Sequence, residues 1–212
     1  MPLLRVTEYK SQLYEDATAI LRDSIAREAQ LPEQRFRDLL AAGNYRLFAY
    51  RRDGDVQGVA LVYFSDPLRF AWLDYFAIRS DLRGRGLGSR LFEEIAQSVR
   101  KQKSLPDWLL FEVDDDCEGD ARRQAECARR VQFYRRLGAR VLENVPYQFP
   151  SAFAAPVRMR LMAYPIDPSA QLTRDGLARA VRDIFINIHG RSGDDELLRW
   201  FEQGLPSAVQ LS

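Results

Sequence analysis

Apolar positions along this chain recur with two periods. Between Gln12 and Ala29, Leu13, Ala17, Ile20 and Leu21 fall at helical spacing, and Phe36, Leu39 and Leu40 repeat the pattern behind Pro32 until Gly43. The runs Leu3 to Thr7, Tyr45 to Tyr50, Val56 to Phe64 and Arg69 to Ile78 carry no such spacing and are strand-like. Asp53-Gly54 lies between the second and third of these and suits a tight hairpin turn, so the last three form an antiparallel meander. Leu87, Leu91, Ile95 and Val99 then recur every four residues, and Pro106 separates this helix from an apolar strand, Trp108 to Val113. A strand, helix and strand in that order imply a parallel, right-handed crossover. A further helix stops at Leu137-Gly138, and two short strands follow, Ala139 to Leu142 and Val157 to Tyr164. The pattern predicts an α/β fold of the α+β kind. Its sheet is mixed and largely antiparallel, with about seven strands and helices on both faces.

The chain divides into a domain over residues 1–164 and a helical C-terminal extension over 165–212. In the extension Thr173 can cap a helix bearing Leu177, Val181, Ile184 and Ile188, and Gly190 ends it. Asp194-Asp195-Glu196 load acid onto the start of a second helix with Leu197, Leu198 and Phe201. The apolar stripe needs cover, either from its own domain or from a second subunit in a homodimer. His189, near a helix end, reads as a C-terminal capping charge.

The most informative stretch is Arg83-Gly84-Arg85-Gly86-Leu87-Gly88-Ser89, between a strand and a helix. Glycines bring backbone amides close to a ligand, and free amides at a helix start favour anions, a diphosphate above all. By itself a glycine-rich turn is also an ordinary tight loop. A P-loop is excluded because no lysine follows the glycines. A dinucleotide fingerprint is excluded because Ser89 stands where its last glycine belongs and the preceding strand lies in a meander.

Composition narrows the partners. Across 212 residues, 31 basic and 30 acidic side chains leave a net charge of +1, which disfavours nucleic acid or an anionic membrane as a bulk partner. No apolar run is long enough to span a bilayer, and the first ten residues lack a signal-peptide core. With two cysteines, Cys117 and Cys127, and one histidine, neither a disulfide framework nor a zinc cluster is expected; the expected location is the cytoplasm.

On the residues Arg83-Gly84-Arg85-Gly86-Leu87-Gly88 the chain resembles the GNAT acyltransferase superfamily, whose loop pattern is Arg/Gln-x-x-Gly-x-Gly/Ala. Asp74-Tyr75-Phe76-Ala77-Ile78 looks like that family's fourth strand. Arg130 to Ala139, with Phe133-Tyr134 and Gly138, looks like its second conserved block. The order of elements from Leu3 to Tyr164 is also the family's; the tail lies outside it. The resemblance implies acetyl-CoA as acyl donor, no metal, and direct attack of an amine on the thioester. It places the pyrophosphate on the amides of Arg83, Gly84, Arg85, Gly86, Leu87, Gly88 and Ser89. It places the pantetheine arm along Phe76, Ala77 and Ile78, and the general acid at Tyr134. By burial statistics alone Tyr134 would be a core residue, and Phe133 beside it is expected to pack inside.

The base is argued from the residues. Asp74 alternates with Trp72, Phe76 and Ile78, and Glu112 with Trp108 and Leu110. A carboxylate among apolar residues on a central strand is costly and calls for a reason. If the two strands are adjacent and parallel, both acids face one cleft; otherwise each simply accepts hydrogen bonds there. Asp114-Asp115-Asp116, Glu118 and Asp120 form an acidic loop that is either solvated or attractive to a cationic acceptor. The function expected is N-acetylation of a small amine. A protein lysine or N-terminal acetyltransferase and a non-catalytic acyl-CoA-binding module stay open beside it.

Overall fold

The structure is a computed structural model that describes residues 2–115, 119–151 and 155–212, with Glu28 described by its backbone only. Its elements run β1 (Leu3–Arg5), α1 (Gln12–Ser24), α2 (Glu33–Ala42), β2 (Tyr45–Arg52), β3 (Asp55–Ser65), β4 (Phe70–Ile78) and α3 (Leu87–Arg100). β5 (Trp108–Asp114), α4 (Ala121–Arg136), β6 (Arg140–Glu143), β7 (Gln148–Phe149) and β8 (Val157–Pro165) follow. α5 (Arg174–Asn187), α6 (Glu196–Gly204) and β9 (Gln210–Leu211) complete the chain. Among the described residues the sheet has nine strands rather than about seven, in the order β1-β2-β3-β4-β5-β8-β6-β9, with β7 paired to β8. The two additions, β7 and β9, are two residues long, too short for a visible alternation.

The expected meander is present: β2, β3 and β4 pair antiparallel, and β4 pairs parallel with β5 across α3. Asp53 and Gly54 both have positive φ, as a two-residue hairpin turn of this hand needs. The first helix is shorter than its pattern implied. It ends at Ser24, and Arg27–Ala29 form a separate 3₁₀ turn.

Each face of the sheet carries its own apolar layer. On one face, Leu91, Phe92, Ile95 and Val99 of α3 and Val131 of α4 pack on alternate residues of β3, β4 and β5. On the other, α1 and α2 share a layer with α5 and α6. Val181, Ile184, Phe185, Leu198 and Phe201 are fully buried there, together with Trp72 and Tyr147. The stripe of the extension is therefore covered by its own chain. At roughly 25 cal/mol per Å² of apolar surface, five such side chains bind the extension to the sheet by several kcal/mol.

His189 is not a capping charge. Burial, with Arg191 and Arg35 adding to it, lowers its pKa to about 3, so the ring is neutral. The cation at the C-terminus of α5 is Arg35 of α2. Its Nε donates to the carbonyl of Ile188 at 3.0 Å, and its Nη2 to those of Asn187 and Ile186.

Candidate active site

β4 and β5 are hydrogen-bonded along three residue pairs only, from Phe70–Trp108 to Trp72–Leu110. Beyond Trp72 the strands part. The opening becomes a cleft of about 730 Å³ lined by residues 73–78 on one side and 111–114 on the other. A β-bulge explains why β4 turns away. Leu61 pairs with Tyr75 while Val62 pairs with Leu73, so Asp74 is the extra residue.

The bulge corrects one expectation. Asp74 shares its face with Trp72 but not with Phe76 and Ile78. The extra residue shifts the alternation by one: Trp72, Tyr75 and Ala77 join the layer under α5, whereas Phe76 and Ile78 join the layer under α3. Glu112 keeps the expected phase with Trp108 and Leu110. Both acids line the cleft.

Their protonation follows from their surroundings. Burial raises Asp74 from 3.8 to about 6, although the Tyr45 hydroxyl donates to its Oδ2 and favours the anion. Burial raises Glu112 from 4.5 to about 8, and the charge of Asp74 adds to the rise. Trp72 Nε1 and the Tyr147 hydroxyl lie near the pair and oppose these shifts. Neither meets the geometry of a full hydrogen bond. Both atoms, with Glu112 Oε2, stay buried without a partner among the described residues. At neutral pH, Asp74 is thus mostly a carboxylate and Glu112 mostly an acid.

Tyr134 enters the cleft from α4, set in an aromatic cluster with Phe111 at 4.6 Å, Phe133 at 4.9 Å, Phe92 at 5.6 Å and Phe76 at 6.2 Å. Burial raises its pKa, Arg130 opposing, so the phenol holds its proton. Tyr134 is buried, as burial statistics alone would have it, whereas Phe133, expected to pack inside, is less so. Phe133 is half-buried, lines the cleft and crowds Gly88, where an added Cβ would lie 3.2 Å from its Cζ.

The glycine loop continues from Ile78. Gly84 and Gly86 have φ of 78° and 77°, which side-chain-bearing residues rarely adopt, and Gly86 is the N-cap of α3. It offers no side chain to the helix, whereas Ser11, Asp120, Thr173 and Asp195 each cap theirs. The first amides of α3, at Leu87, Gly88 and Ser89, thus lack a side-chain cap. Arg83 lines the cleft, its Nε donating to the Ile78 carbonyl at 3.2 Å and its Nη2 to Ser24 Oγ at 3.2 Å. Residues 84–89 are not part of the cleft lining. Gly84, Arg85 and Gly86 are exposed just beyond it, and the Leu87 side chain is in the core.

The acidic loop has other work. Asp114 pairs with Arg130. Asp115, buried, pairs with Arg158 at 2.8 Å and Arg160 at 3.2 Å. Asp120 caps α4. Asp116, Cys117 and Glu118 lie outside the described residues. Cys127 is buried. Among the described residues no cluster of three or more His, Cys, Asp or Glu is placed to hold a metal ion, and no helix is long and apolar enough to cross a membrane.

Sequence reasoning missed Tyr45, Tyr75 and Phe149. Tyr45 reaches Asp74 across the whole of β3. Tyr75 accepts from the Leu31 amide at 2.8 Å and donates to the Ala29 carbonyl at 2.7 Å, tying the α1–α2 connection to the cleft wall. No local pattern marks such long-range partners.

A glycine-loop helix beside a sheet parted at β4 and β5 defines a class, and comparison with known proteins names it. The sequence profile of the acetyltransferase (GNAT) family matches residues 11–139, more than half of the chain. The chain belongs to that family. A protein of Bacteroides thetaiotaomicron assigned to the GNAT family superposes with a TM-score of 0.71 at 21% identity, over 89% of this chain and 98% of its own. A GNAT family acetyltransferase from Elizabethkingia anophelis, with acetyl-CoA bound, gives 0.52 at 11% identity, over 77% and 96%. The ribosomal-protein-S18-alanine N-acetyltransferase of Escherichia coli gives 0.53 at 20% identity, over 80% and 97%. These likenesses establish a shared fold. No curated protein has a matching sequence.

Proposed function

We propose that this protein transfers the acetyl group of acetyl-CoA to the amine of a small molecule by direct attack. The parting of β4 from β5 carries the reading. It leaves one open channel lined by the two carboxyls and the protonated phenol, and the β4 wall of that channel runs on through the glycine loop to the uncapped amides of α3.

In this reading the amides of Leu87, Gly88 and Ser89 bind the pyrophosphate, with Arg83 and Arg85 adding charge. The edge of β4 from Phe76 to Ile78, which β5 has left, accepts the pantetheine arm as a strand would be added. The thioester carbonyl then lies near Tyr134. The amine arrives charged and must lose a proton before it attacks. Asp74 is the nearer match to that task, a carboxylate with a pKa of about 6 held by the Tyr45 hydroxyl. Asp74 hands that first proton to water in the open cleft; nitrogen then bonds to the carbonyl carbon, its second proton passes to the freed carboxylate, and the carbon–sulfur bond breaks. Tyr134 serves the departing sulfur first as a hydrogen-bond donor. It delivers its proton as the bond breaks, and the phenolate regains one from water. Glu112, mostly protonated at neutral pH, takes over as base only as pH rises through about 8. No covalent enzyme intermediate is involved.

The test is release of free CoA thiol from acetyl-CoA across a panel of amines, with Tyr134→Phe as control. Turnover that depends on an amine and falls in the variant is the expected result. Absence of any rise in melting temperature with acyl-CoA overturns the reading.

A further inference from the structure

We infer that a second cavity behind the cleft is a subsite for a carboxylate carried by the acceptor. The acceptor would then be a zwitterion of amino-acid type rather than a plain amine or polyamine. The inference rests on the amine-acetylation reading above and extends it to the other end of the acceptor.

The cavity has a volume of about 260 Å³ and is lined by Gln30, Leu31, Arg35, Phe149, Pro150 and His189, among others. That is small for a complete ligand and ample for one functional group. It adjoins the cleft: Phe149 lines both, and Ala29 and Ser151 line the cleft where Gln30 and Pro150 line the cavity. The partition is held by Tyr75, the neighbour of Asp74, through the Leu31 amide and the Ala29 carbonyl. This wall is thus one that the far end of a ligand with its nitrogen at Asp74 can meet.

The chemistry of the cavity selects an anion. No acidic residue lines it. His189 Nε2 is buried there with no hydrogen-bond partner among the described residues, an unmet need in an otherwise packed position. The ring is fixed edge-on to Phe149 at 5.3 Å and Phe185 at 6.2 Å. It is neutral beside two arginines, Arg35 and Arg191, and in its Nε2–H tautomer donates through Nε2. Arg35 engages the carbonyls at the end of α5 through Nε and Nη2, while its Nη1 makes no hydrogen bond among the described residues. A carboxylate would meet two donors and a positive field; an ammonium would meet repulsion.

The experiment compares ω-amino carboxylates with n-alkylamines of equal chain length, in wild type and in His189→Phe, which keeps the ring contacts and removes the donor. The account expects wild type to prefer the carboxylate series by about tenfold or more in kcat/KM, and His189→Phe to abolish the preference through KM. The KM for acetyl-CoA and turnover of alkylamines should stay within twofold of wild type, and His189→Asn should restore part of the preference. Equal use of the two series by wild type, or an equal loss for both in the variant, overturns the subsite. If no amine is acetylated, the activity reading fails on its own. The subsite is then decided by calorimetric titration with the same amino carboxylates: binding that His189→Phe removes upholds it, and no binding in wild type overturns it.

Discussion

The two ends of the cleft are built in opposite ways. The donor end comes from one continuous run: the last residues of β4 from Phe76, then the loop through Arg83 to the first turn of α3. The acceptor end is assembled from distant pieces: Ser24 to Ala29, Asp74 and Tyr75, Glu112, and the segments around Phe149 and Met159. A site made of backbone amides needs only the right local φ values, which two glycines supply. A site made of half-buried carboxyls needs neighbours from many elements, and here they include Tyr45 on β2, which donates to Asp74, and Tyr147 beyond β6, which lies near Glu112. The first kind binds a group common to many reactions; the second kind sets which amine is used.

If that division is correct, damage to each region should have a separate kinetic signature. The largest effect belongs to the shared centre. Tyr134→Phe should lower kcat by about 10³, with both KM values within threefold of wild type. Steady-state thiol release under saturation of each substrate in turn checks this. A large rise in either KM instead would make Tyr134 a binding residue.

At the donor end, Gly86→Val forces a β-branched residue to a φ of 77° in a position where nothing crowds the added carbon. The fold should survive, while the KM for acetyl-CoA rises about 100-fold, equivalent to roughly 2.7 kcal/mol. The amine KM should not move. A parallel rise in both would show that the two ends are not independent.

At the acceptor end, Asp74→Asn should lower kcat/KM for the amine by about tenfold to a hundredfold at pH 7. It should also erase the limb of the pH profile that rises through about 6 in wild type, because below that pH the carboxyl is protonated and cannot accept. The sign for stability is the reverse. The folded pKa of about 6 lies above the ordinary 3.8, so the unfolded chain releases its proton first. Wild-type stability is thus lost as pH climbs between those values. Asp74→Asn should accordingly melt a few degrees higher at pH 7, with a difference that vanishes near pH 3. A higher pH-7 melting point with unchanged kinetics would make Asp74 a structural acid only.

How much of this was legible in the sequence follows the same division. The antiparallel meander, the crossover through α3 and the two layers of helices could be read from apolar spacing, because the elements that build them each carry their own period and follow one another in order along the chain. The glycine loop was legible because Gly84 and Gly86 have a backbone reason to be glycine. The bulge at Asp74 was not. Nothing in Leu73-Asp74-Tyr75 distinguishes an extra residue from an alternating one, and the pairing of β3 with β4 decides it. For the same reason Phe76 and Ile78 were placed on the wrong face. His189 was misjudged because its local position suits a cap, while Arg35, remote in sequence, holds that place.

The smallest kinetic effect is expected where the charge pattern looked most suggestive. Asp115 is buried, its side chain 4% exposed, between Arg158 and Arg160. Asp115→Asn should cost on the order of 2 kcal/mol of stability, seen as a lower melting temperature, and leave the amine KM within twofold. A salt-dependent rise in that KM would restore the acidic loop as an attractor of cationic acceptors.

The central claim, that one channel between β4 and β5 serves the donor from its glycine-loop end, is tested most directly by amide hydrogen exchange with and without saturating acetyl-CoA. The account predicts new protection at Phe76 to Ile78 and at Leu87 to Ser89, with little change at Phe149 to Met159. Protection at Phe149 to Met159 with none at Leu87 to Ser89 would contradict it.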